Sequence, residues 1–317
     1  MSHGLVLGKF LPPHRGHLYL VDFARSFADQ LTVVVGSLER EPIPGAVRHR
    51  WMSELFPTCR VVHLTDENPQ LPEEHPDFWQ IWRNSLERVA ERPIDYLFAS
   101  EEYGQRLAQE LGAQFIPTGG LRSHVPTSGT QIRANPWRHW DDLPALVRPY
   151  FVGRISIFGP ESTGKTTLAR RLAEHFSTVW VPEYARTWLE YRGEPRLQDM
   201  QVIARGQAAA EEALAAQANR LLFCDTDPAA TQLWSQVLFG EVPWEGEPRS
   251  YHLTLLLAPD VPWVEDPVRY LPQGGEAFFE RCQALLRRLD RPFTVLSGSW
   301  EERFSAAVAA VEELLDV

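Results

Sequence analysis

The stretch RISIFGPESTGKTTLARRL (154–172) contains the pattern that decides the fold. It opens with a short apolar run that stops at a glycine, and it closes with a helix-like series of residues. Between them, GPESTGKT (159–166) fits the pattern G-x-x-x-x-G-K-[ST], in which backbone N–H groups and the start of a helix surround a phosphate group. A strand, this loop and a helix in direct succession predict an α/β domain that binds a nucleoside triphosphate.

The residues of this loop have separate predicted roles. Gly159 and Gly164 allow the tight backbone path around the phosphates. Lys165 is expected to reach the β- and γ-phosphates, and Thr166 is expected to bind Mg²⁺ through its hydroxyl group. Four neighbours in and beside the loop are also predicted to contact ATP: Glu161, Ser162, Thr163 and Thr167.

Such a site needs a carboxylate near the metal ion, at the end of another strand. RLLFCDTD (220–227) supplies Asp225 directly after an apolar run, and Asp227 is a predicted substrate contact. Glu183, at the end of VWVPE (179–183), is the candidate base or orienting group for an acceptor hydroxyl. Each of these carboxylates also fits the alternative of a solvated loop residue.

Three further side chains extend the predicted phosphoryl-transfer site. Tyr184 and Arg186 follow in PEYART (182–187) and are predicted substrate contacts. Arg269 lies in the polar segment EDPVRYLP (265–272). It is either a lid arginine that contacts ATP and stabilises the transferred phosphoryl charge, or a surface arginine.

The first half of the chain opens on a second loop of this kind. GKFLPPHRGH (8–17) follows the apolar run LVLG and precedes a helix-like stretch. Adenylyl transfer needs donors around the α-phosphate of ATP and positive charge beside the leaving pyrophosphate. Imidazoles three residues apart at the start of a helix can face one phosphate together, unless both lie on the surface. The predicted ATP contacts and catalytic groups of this loop are Gly8, Lys9, Phe10, His14 and His17.

SGTQIR (128–133) is the candidate for the other half of that site. Ser128 and Thr130 can begin a helix and present hydroxyl and backbone N–H groups to phosphate, with Arg133 one turn further on. Alone, the segment is a weak helix-capping signal. About 110 residues downstream of the two histidines, it becomes a predicted second phosphate-binding motif.

Both halves alternate short apolar strands with helix-like stretches. The βαβα order predicts two doubly wound parallel sheets covered by helices, which places the chain in the α/β class. The proline-containing segment between the two series has no strand pattern, so we expect domains at residues 1–150 and 151–317.

The composition excludes several classes of protein. The chain has 317 residues, a formal charge of −11 and 3 cysteines without metal-ligand spacing. Neither half is basic, so we expect no nucleic-acid partner. No apolar run approaches the roughly 20 residues of a membrane span, and a reducing cytoplasm fits the cysteines. Of the 31 basic residues only two are lysines, and these are Lys9 and Lys165.

GKFLPPHRGH together with SGTQIR resembles the HxGH nucleotidyltransferase superfamily, which implies a Rossmann-like first domain. The combination with GPESTGKT, PEYART, CDTDPAATQ and WVEDPVRYLP resembles the NadR-type bifunctional family, over about residues 4–316. That family joins a nicotinamide-mononucleotide adenylyltransferase to a P-loop ribosylnicotinamide kinase. The resemblance implies that residues 151–317 phosphorylate nicotinamide riboside with Mg²⁺ and ATP, and that residues 1–150 adenylylate the mononucleotide to NAD⁺ and pyrophosphate.

The resemblance also implies a pyridinium ring in the substrate. Trp79 and Trp82, in PDFWQIWR (76–83), could stack on that ring, although tryptophans three residues apart on a helix also suit a protein core. In the kinase half, stacking would fall to Tyr184 or Trp180. Family members are often oligomeric, so a homo-oligomer is a further expectation.

The chain departs from the family pattern in two ways. Some members begin with a DNA-binding helix-turn-helix, for which the first predicted strand, within five residues of Met1, leaves no room. Gly129 stands where related enzymes often carry Ser or another small residue. Two alternatives remain: the same architecture acting on another nucleoside or mononucleotide, or an NAD- or ATP-sensing regulator with one degenerate site.

Overall fold

The computed structural model describes residues 1–101, 103–118, 127–242, 244, 249–264 and 274–316. The chain divides into two compact units, Met1–Arg148 and Pro149–Val317, close to the expected boundary near residue 150. Each unit contains a five-stranded sheet whose paired strands all run parallel. The predicted α/β class with two doubly wound parallel sheets is confirmed.

The first unit has the strand order β3-β2-β1-β4-β5. The order reverses beside β1, so the loop that leaves the carboxyl end of β1 lies at the position where doubly wound folds bind ligands. The strands are β1 (His3–Gly8), β2 (Gln30–Gly36), β3 (Arg60–Leu64), β4 (Tyr96–Ala99) and β5 (Gln114–Pro117). The helices are α1 (Arg15–Phe27), α2 (Gly45–Leu55), α3 (Phe78–Ala90), α4 (Tyr103–Leu111) and α5 (Gly129–Ala134).

The second unit has the order β10-β9-β6-β8-β7, which again reverses beside its first strand. The strands are β6 (Gly153–Phe158), β7 (Val179–Val181), β8 (Leu221–Asp225), β9 (Leu253–Leu257) and β10 (Phe293–Leu296). The helices are α6 (Lys165–His175), α7 (Tyr184–Arg192), α8 (Leu197–Ala215), α9 (Pro228–Phe239), α10 (Gly275–Arg288) and α11 (Trp300–Asp316). Short 3-10 turns occur at Pro72–Glu74, Trp140–Asp142 and Arg148–Phe151.

The continuous apolar runs of the sequence are explained by helices on both faces of each sheet. In β1, Val6 packs into the core on the α1 side, while its neighbour Leu5 packs into the core on the α3 side. In β6, Ile157 and Phe158 divide in the same way between two cores. Because successive strand residues point to opposite faces, a strand covered on both sides is mostly apolar along its whole length.

Candidate active sites

The two histidines of the first unit lie together at the start of α1. His14 is the N-cap of this helix, and its Nδ1 accepts a hydrogen bond from the Gly16 N–H at 3.2 Å. His17 lies one turn further on, with its ring centroid 3.8 Å from that of His14. The spacing predicted that both imidazoles would face one place, and the helix geometry brings them there.

Both imidazoles are held in the neutral form. Burial lowers the pKa of His14 to about 4, against a smaller opposing effect of Asp142. Burial, and then the neighbouring His14, lower the pKa of His17 well below its ordinary value. Because Nδ1 of neutral His14 accepts the Gly16 N–H, its proton lies on Nε2, where it can be donated to a phosphate oxygen. The positive charge of the site must therefore come from other residues.

Lys9 supplies part of that charge and is held by an ion pair. Its Nζ lies 2.9 Å from Glu41 Oε1, and the lysine side chain is 48% exposed. Although burial opposes ionisation of Glu41, hydrogen bonds from Lys9 and Leu38 and the charge of Arg48 lower its pKa below the ordinary value. The carboxylate therefore remains charged and keeps Lys9 at the edge of the loop.

Arg48 fixes the backbone around this ion pair. It is completely buried, bonds Glu41 at 2.5 Å, and donates to the carbonyls of Lys9, Gly36 and Ile43. Neither Glu41 nor Arg48 was predicted, because nothing in their local sequence shows that three separate loop carbonyls converge on one guanidinium group.

The second predicted motif contacts the first one. Ser128 forms a capping box with Gln131 at the start of α5, and Arg133 Nη1 donates to the Leu11 carbonyl at 2.5 Å. Arg133 Nη2 also bonds Thr130 Oγ1 at 3.3 Å. The two motifs, far apart in sequence, therefore form one cluster with the loop that precedes α1.

Gly129 is required by this contact. A Cβ atom at this position would lie 2.5 Å from the Leu11 carbonyl oxygen, which is too close for any side chain without a backbone shift. The departure from the family pattern at Gly129 is thus matched by a close approach of Leu11.

Phe10 packs beneath the histidines. It is buried, and its ring lies edge-on to His17 at a centroid distance of 5.0 Å. A Cβ atom at Gly8, the last residue of β1, would lie 3.0 Å from the Phe10 ring. Gly8 and Phe10, both predicted ATP contacts, therefore pack against each other inside the loop.

The tryptophans of α3 take part in packing. Trp79 and Trp82 are half-buried against the core on the α3 side of the sheet. The Trp82 indole N–H donates to the Pro69 carbonyl at 2.8 Å, and the Arg106 guanidinium lies 5.9 Å from the Trp79 ring centroid. This arrangement fits the core alternative, and stacking on a pyridinium ring stays a prediction.

In the second unit, the loop from residue 159 to 166 has the conformation its glycines predicted. Gly159 and Gly164 have φ angles of 136° and 86°, in the region that favours glycine. Lys165 Nζ folds back on the loop and donates to the Pro160 carbonyl at 2.8 Å. Thr163 Oγ1 donates to the same carbonyl. These two hydrogen bonds to one carbonyl hold the Lys165 side chain against the loop.

Thr166 and Asp225 meet at the base of this loop. Thr166 Oγ1 donates to Asp225 Oδ2 at 2.5 Å, and Asp225 Oδ1 is buried without a hydrogen-bond partner among the described residues. Burial, and then the nearby charge of Glu183, raise the pKa of Asp225 to about 6. An unsatisfied buried carboxylate oxygen beside a threonine hydroxyl suits a hard divalent cation.

A cleft connects the loop with helices α7, α8 and α9. Glu183, the N-cap of α7, and Arg186 line it together with Lys165 and Thr166. The loop residues Glu161, Ser162, Gly164 and Thr167 also line it. The lining of the cleft thus combines residues of the phosphate loop with the apolar side chains of Leu189, Met200, Ile203, Trp234 and Leu238.

Two predicted substrate contacts lie elsewhere. The ring of Tyr184 lies against Gly206, where a Cβ atom would be 2.0 Å from the ring, and Tyr184 is absent from the described lining of the cleft. Asp227 is fully buried: it caps α9 through Oδ1 and accepts bonds from Ser156 and Arg291 through Oδ2. Both its oxygens are therefore engaged within the fold of the second unit, and a contact with substrate stays a prediction.

Arg269, the candidate lid arginine, lies outside the described residues. The structure adds an arginine that sequence reasoning missed. Arg303 is buried behind the phosphate loop, donates to the carbonyls of Thr163, Ala258 and Gly298, and pairs with Asp260. It fixes the back of the loop as Arg48 fixes the loop of the first unit.

The fold and the two loops define a two-domain α/β protein that pairs an HxGH-type nucleotidyltransferase domain with a P-loop domain. A family model described as AAA domain matches residues 154–303. The chain is 32% identical, over 98% of its length and 83% of the relative's, to the trifunctional NAD biosynthesis/regulator protein NadR of Escherichia coli K12. The chain therefore belongs to the NadR family, as its motifs predicted.

Two other similarities agree with this assignment. A nicotinamide-nucleotide adenylyltransferase of Aeropyrum pernix is 29% identical over 47% of this chain and 90% of its own length. The crystal structure of a NadR protein in complex with NR superimposes with a TM-score of 0.82, covering 100% of this chain and 96% of that one at 24% identity. Among the helices that the structure describes, none is long and apolar enough to cross a membrane.

Proposed function

We propose that this chain makes NAD⁺ from nicotinamide riboside in two steps. The second unit transfers the γ-phosphoryl group of ATP to the riboside, and the first unit transfers the adenylyl group of a second ATP to the resulting mononucleotide. The observation that supports the proposal is that a member of the NadR family carries two separate loops whose predicted site residues lie in contact, through Arg133 and Leu11 in one and through Thr166 and Asp225 in the other. One loop contains Lys9 and His14–His17, and the other contains Lys165 and Thr166.

In the phosphoryl-transfer site, each residue has a separate role. Lys165 neutralises the transferred group, and Glu183 accepts the proton of the attacking hydroxyl. Thr166 and Asp225 would hold Mg²⁺, which neutralises the β- and γ-phosphates when bound. Within the described residues, no group of three His, Cys, Asp or Glu side chains could hold a metal ion.

In the adenylyl-transfer site, the neutral imidazoles and the cations have different tasks. His14 and His17 donate N–H groups to the α-phosphate at which the mononucleotide attacks. Lys9 and Arg133 neutralise the leaving pyrophosphate. The site adds no covalent step, since orientation and charge stabilisation account for catalysis of this kind.

The test separates the two sites. Protein, MgCl₂, ATP and nicotinamide riboside are incubated, and the products are resolved by chromatography. Lys165→Ala should abolish formation of the mononucleotide but leave its conversion to NAD⁺ intact. His17→Ala should do the reverse, so each variant is the folding control for the other. Loss of both steps in either folded variant would refute the two-site proposal.

The same assay addresses the alternative acceptor. A panel of nucleosides replaces nicotinamide riboside at equal concentration, and kcat/KM is compared. A strong preference for another nucleoside, with no use of the riboside, would favour the alternative of the same architecture with a different substrate.

A further inference from the structure

Gln207 is a buried polar residue in the cleft of the second unit. It lies on α8, is 1% exposed, and lines the cleft together with Met200 and Ile203 of the same helix. Its Oε1 accepts a hydrogen bond from the backbone N–H of Tyr184 at 2.9 Å. The side chain therefore touches both the cleft and the first residue of α7.

The bond to Tyr184 fixes the orientation of the amide group. A backbone N–H can only donate, so the oxygen of Gln207 must face Tyr184 and the NH₂ group must point the other way. Nε2 is buried and has no hydrogen-bond partner among the described residues. A buried donor without a partner is rare in folded proteins, because its lost hydration is not replaced.

The position of Gln207 identifies the group that can satisfy this donor. Tyr184 directly follows Glu183, which lines the same cleft as Lys165 and Thr166 and whose charge acts on Asp225. Ile203, one helical turn before Gln207 on α8, and Leu189 are apolar lining residues that suit a flat ring. The partner must be an oxygen with a free lone pair close to the reacting hydroxyl. In a nucleoside, the other ribose hydroxyls meet both conditions.

We propose that Gln207 Nε2 donates a hydrogen bond to the 2′- or 3′-hydroxyl oxygen of the acceptor nucleoside. Gln207 is then a specificity residue that selects a ribosyl over a deoxyribosyl acceptor. The inference rests on the proposed function, since it names the part of the riboside that this residue contacts. The competing explanation is that Gln207 only caps α7 at Tyr184.

The experiment removes the Gln207 donor and the ribose hydroxyl acceptor separately. Nicotinamide riboside and its 2′-deoxy and 3′-deoxy analogues are phosphorylated by the full-length protein and by Gln207→Met. For the wild type, kcat/KM should fall about ten- to a hundredfold for one of the two analogues, because that analogue leaves Nε2 unpaired. In Gln207→Met this discrimination should shrink to about twofold, since the donor is gone. Gln198→Met, at an exposed position of α8, should discriminate like the wild type.

Each outcome decides between the explanations. Equal losses of kcat/KM for all three substrates in Gln207→Met would show that the residue only caps α7, and would overturn the inference. Equal kcat/KM of the wild type for all three substrates would overturn it without any variant. A wild-type protein that phosphorylates other nucleosides but not nicotinamide riboside would instead overturn the proposed function.

Discussion

Replacing Gly129 with alanine should disable adenylyl transfer while leaving phosphoryl transfer intact. Gly129 is the first residue of α5, and the Leu11 carbonyl lies beside the position that a Cβ atom would take. Alanine has the higher helix propensity, so in isolation the change would favour the helix by about 1 kcal/mol. The contact with Leu11 opposes that gain.

The size of the effect follows from the distances. The new Cβ would lie 2.5 Å from the Leu11 oxygen and 3.2 Å from its carbonyl carbon. Both neighbours are backbone atoms, so α5 or the loop before α1 must move by about 1 Å to restore ordinary contact, at a cost of about 1–3 kcal/mol. Arg133 bonds the same carbonyl and moves with it. A misplacement of about 1 Å in a catalytic group costs about a hundredfold in rate.

The assay measures conversion of nicotinamide mononucleotide and ATP to NAD⁺, with phosphorylation of nicotinamide riboside by the same preparation as the internal control. Gly36→Ala is the matched variant, because a Cβ at Gly36, the end of β2, meets its nearest atom at 3.8 Å. We expect about a hundredfold loss of adenylyl transfer in Gly129→Ala and little loss in Gly36→Ala. Wild-type adenylyl transfer by Gly129→Ala would refute the argument from close approach.

Two further predictions concern buried charges of the second unit. Arg303→Met should lower the free energy of unfolding by about 3 kcal/mol and raise the KM for ATP in phosphoryl transfer. Arg171→Met removes an exposed ion pair and should change neither quantity. An unchanged KM for ATP in Arg303→Met would contradict the proposal that Arg303 holds the phosphate loop in shape. Burial, against a hydrogen bond from Tyr251, raises the pKa of Glu211 from 4.5 to about 7, so the folded state binds more protons and stability falls as pH rises through that window. In denaturant unfolding, Glu211→Gln should be more stable than the wild type by up to about 3 kcal/mol at pH 8 and similarly stable at pH 4.5. A stability difference that does not change with pH would contradict the raised pKa of Glu211.

The parts of the sites that the sequence predicted well are those whose partners are local. Lys165 and Thr166 belong to one continuous loop between a strand and a helix, and that context determines where they point. His14 and His17 are related by a single helical turn. Asp225 could be predicted from a distant part of the sequence because parallel strands end at one edge of a sheet, which places the last residue of β8 next to the loop after β6.

The remaining roles depend on contacts across the fold. Asp227 stands two residues after Asp225 and has the same chemistry, but Arg291, 64 residues later, pairs with it in the core. Gln207 is one of several polar residues of α8, and only its bond with Tyr184 shows which end of its amide is left for a ligand. Periodicity identifies the buried face of a helix, but it does not show which buried polar group already has a partner.

The two lysines of the chain have a different role from the buried arginines beside them. Arg48 and Arg303 are each buried, and each bonds three backbone carbonyls and one carboxylate. The planar fork of arginine suits several fixed acceptors, and these two residues hold the loops in shape. Lys9 instead pairs with Glu41, and Lys165 bonds the Pro160 carbonyl. A compact ammonium group on a flexible stem can exchange such a partner for a phosphate oxygen, which explains why a chain that otherwise uses arginine keeps lysine in these two loops.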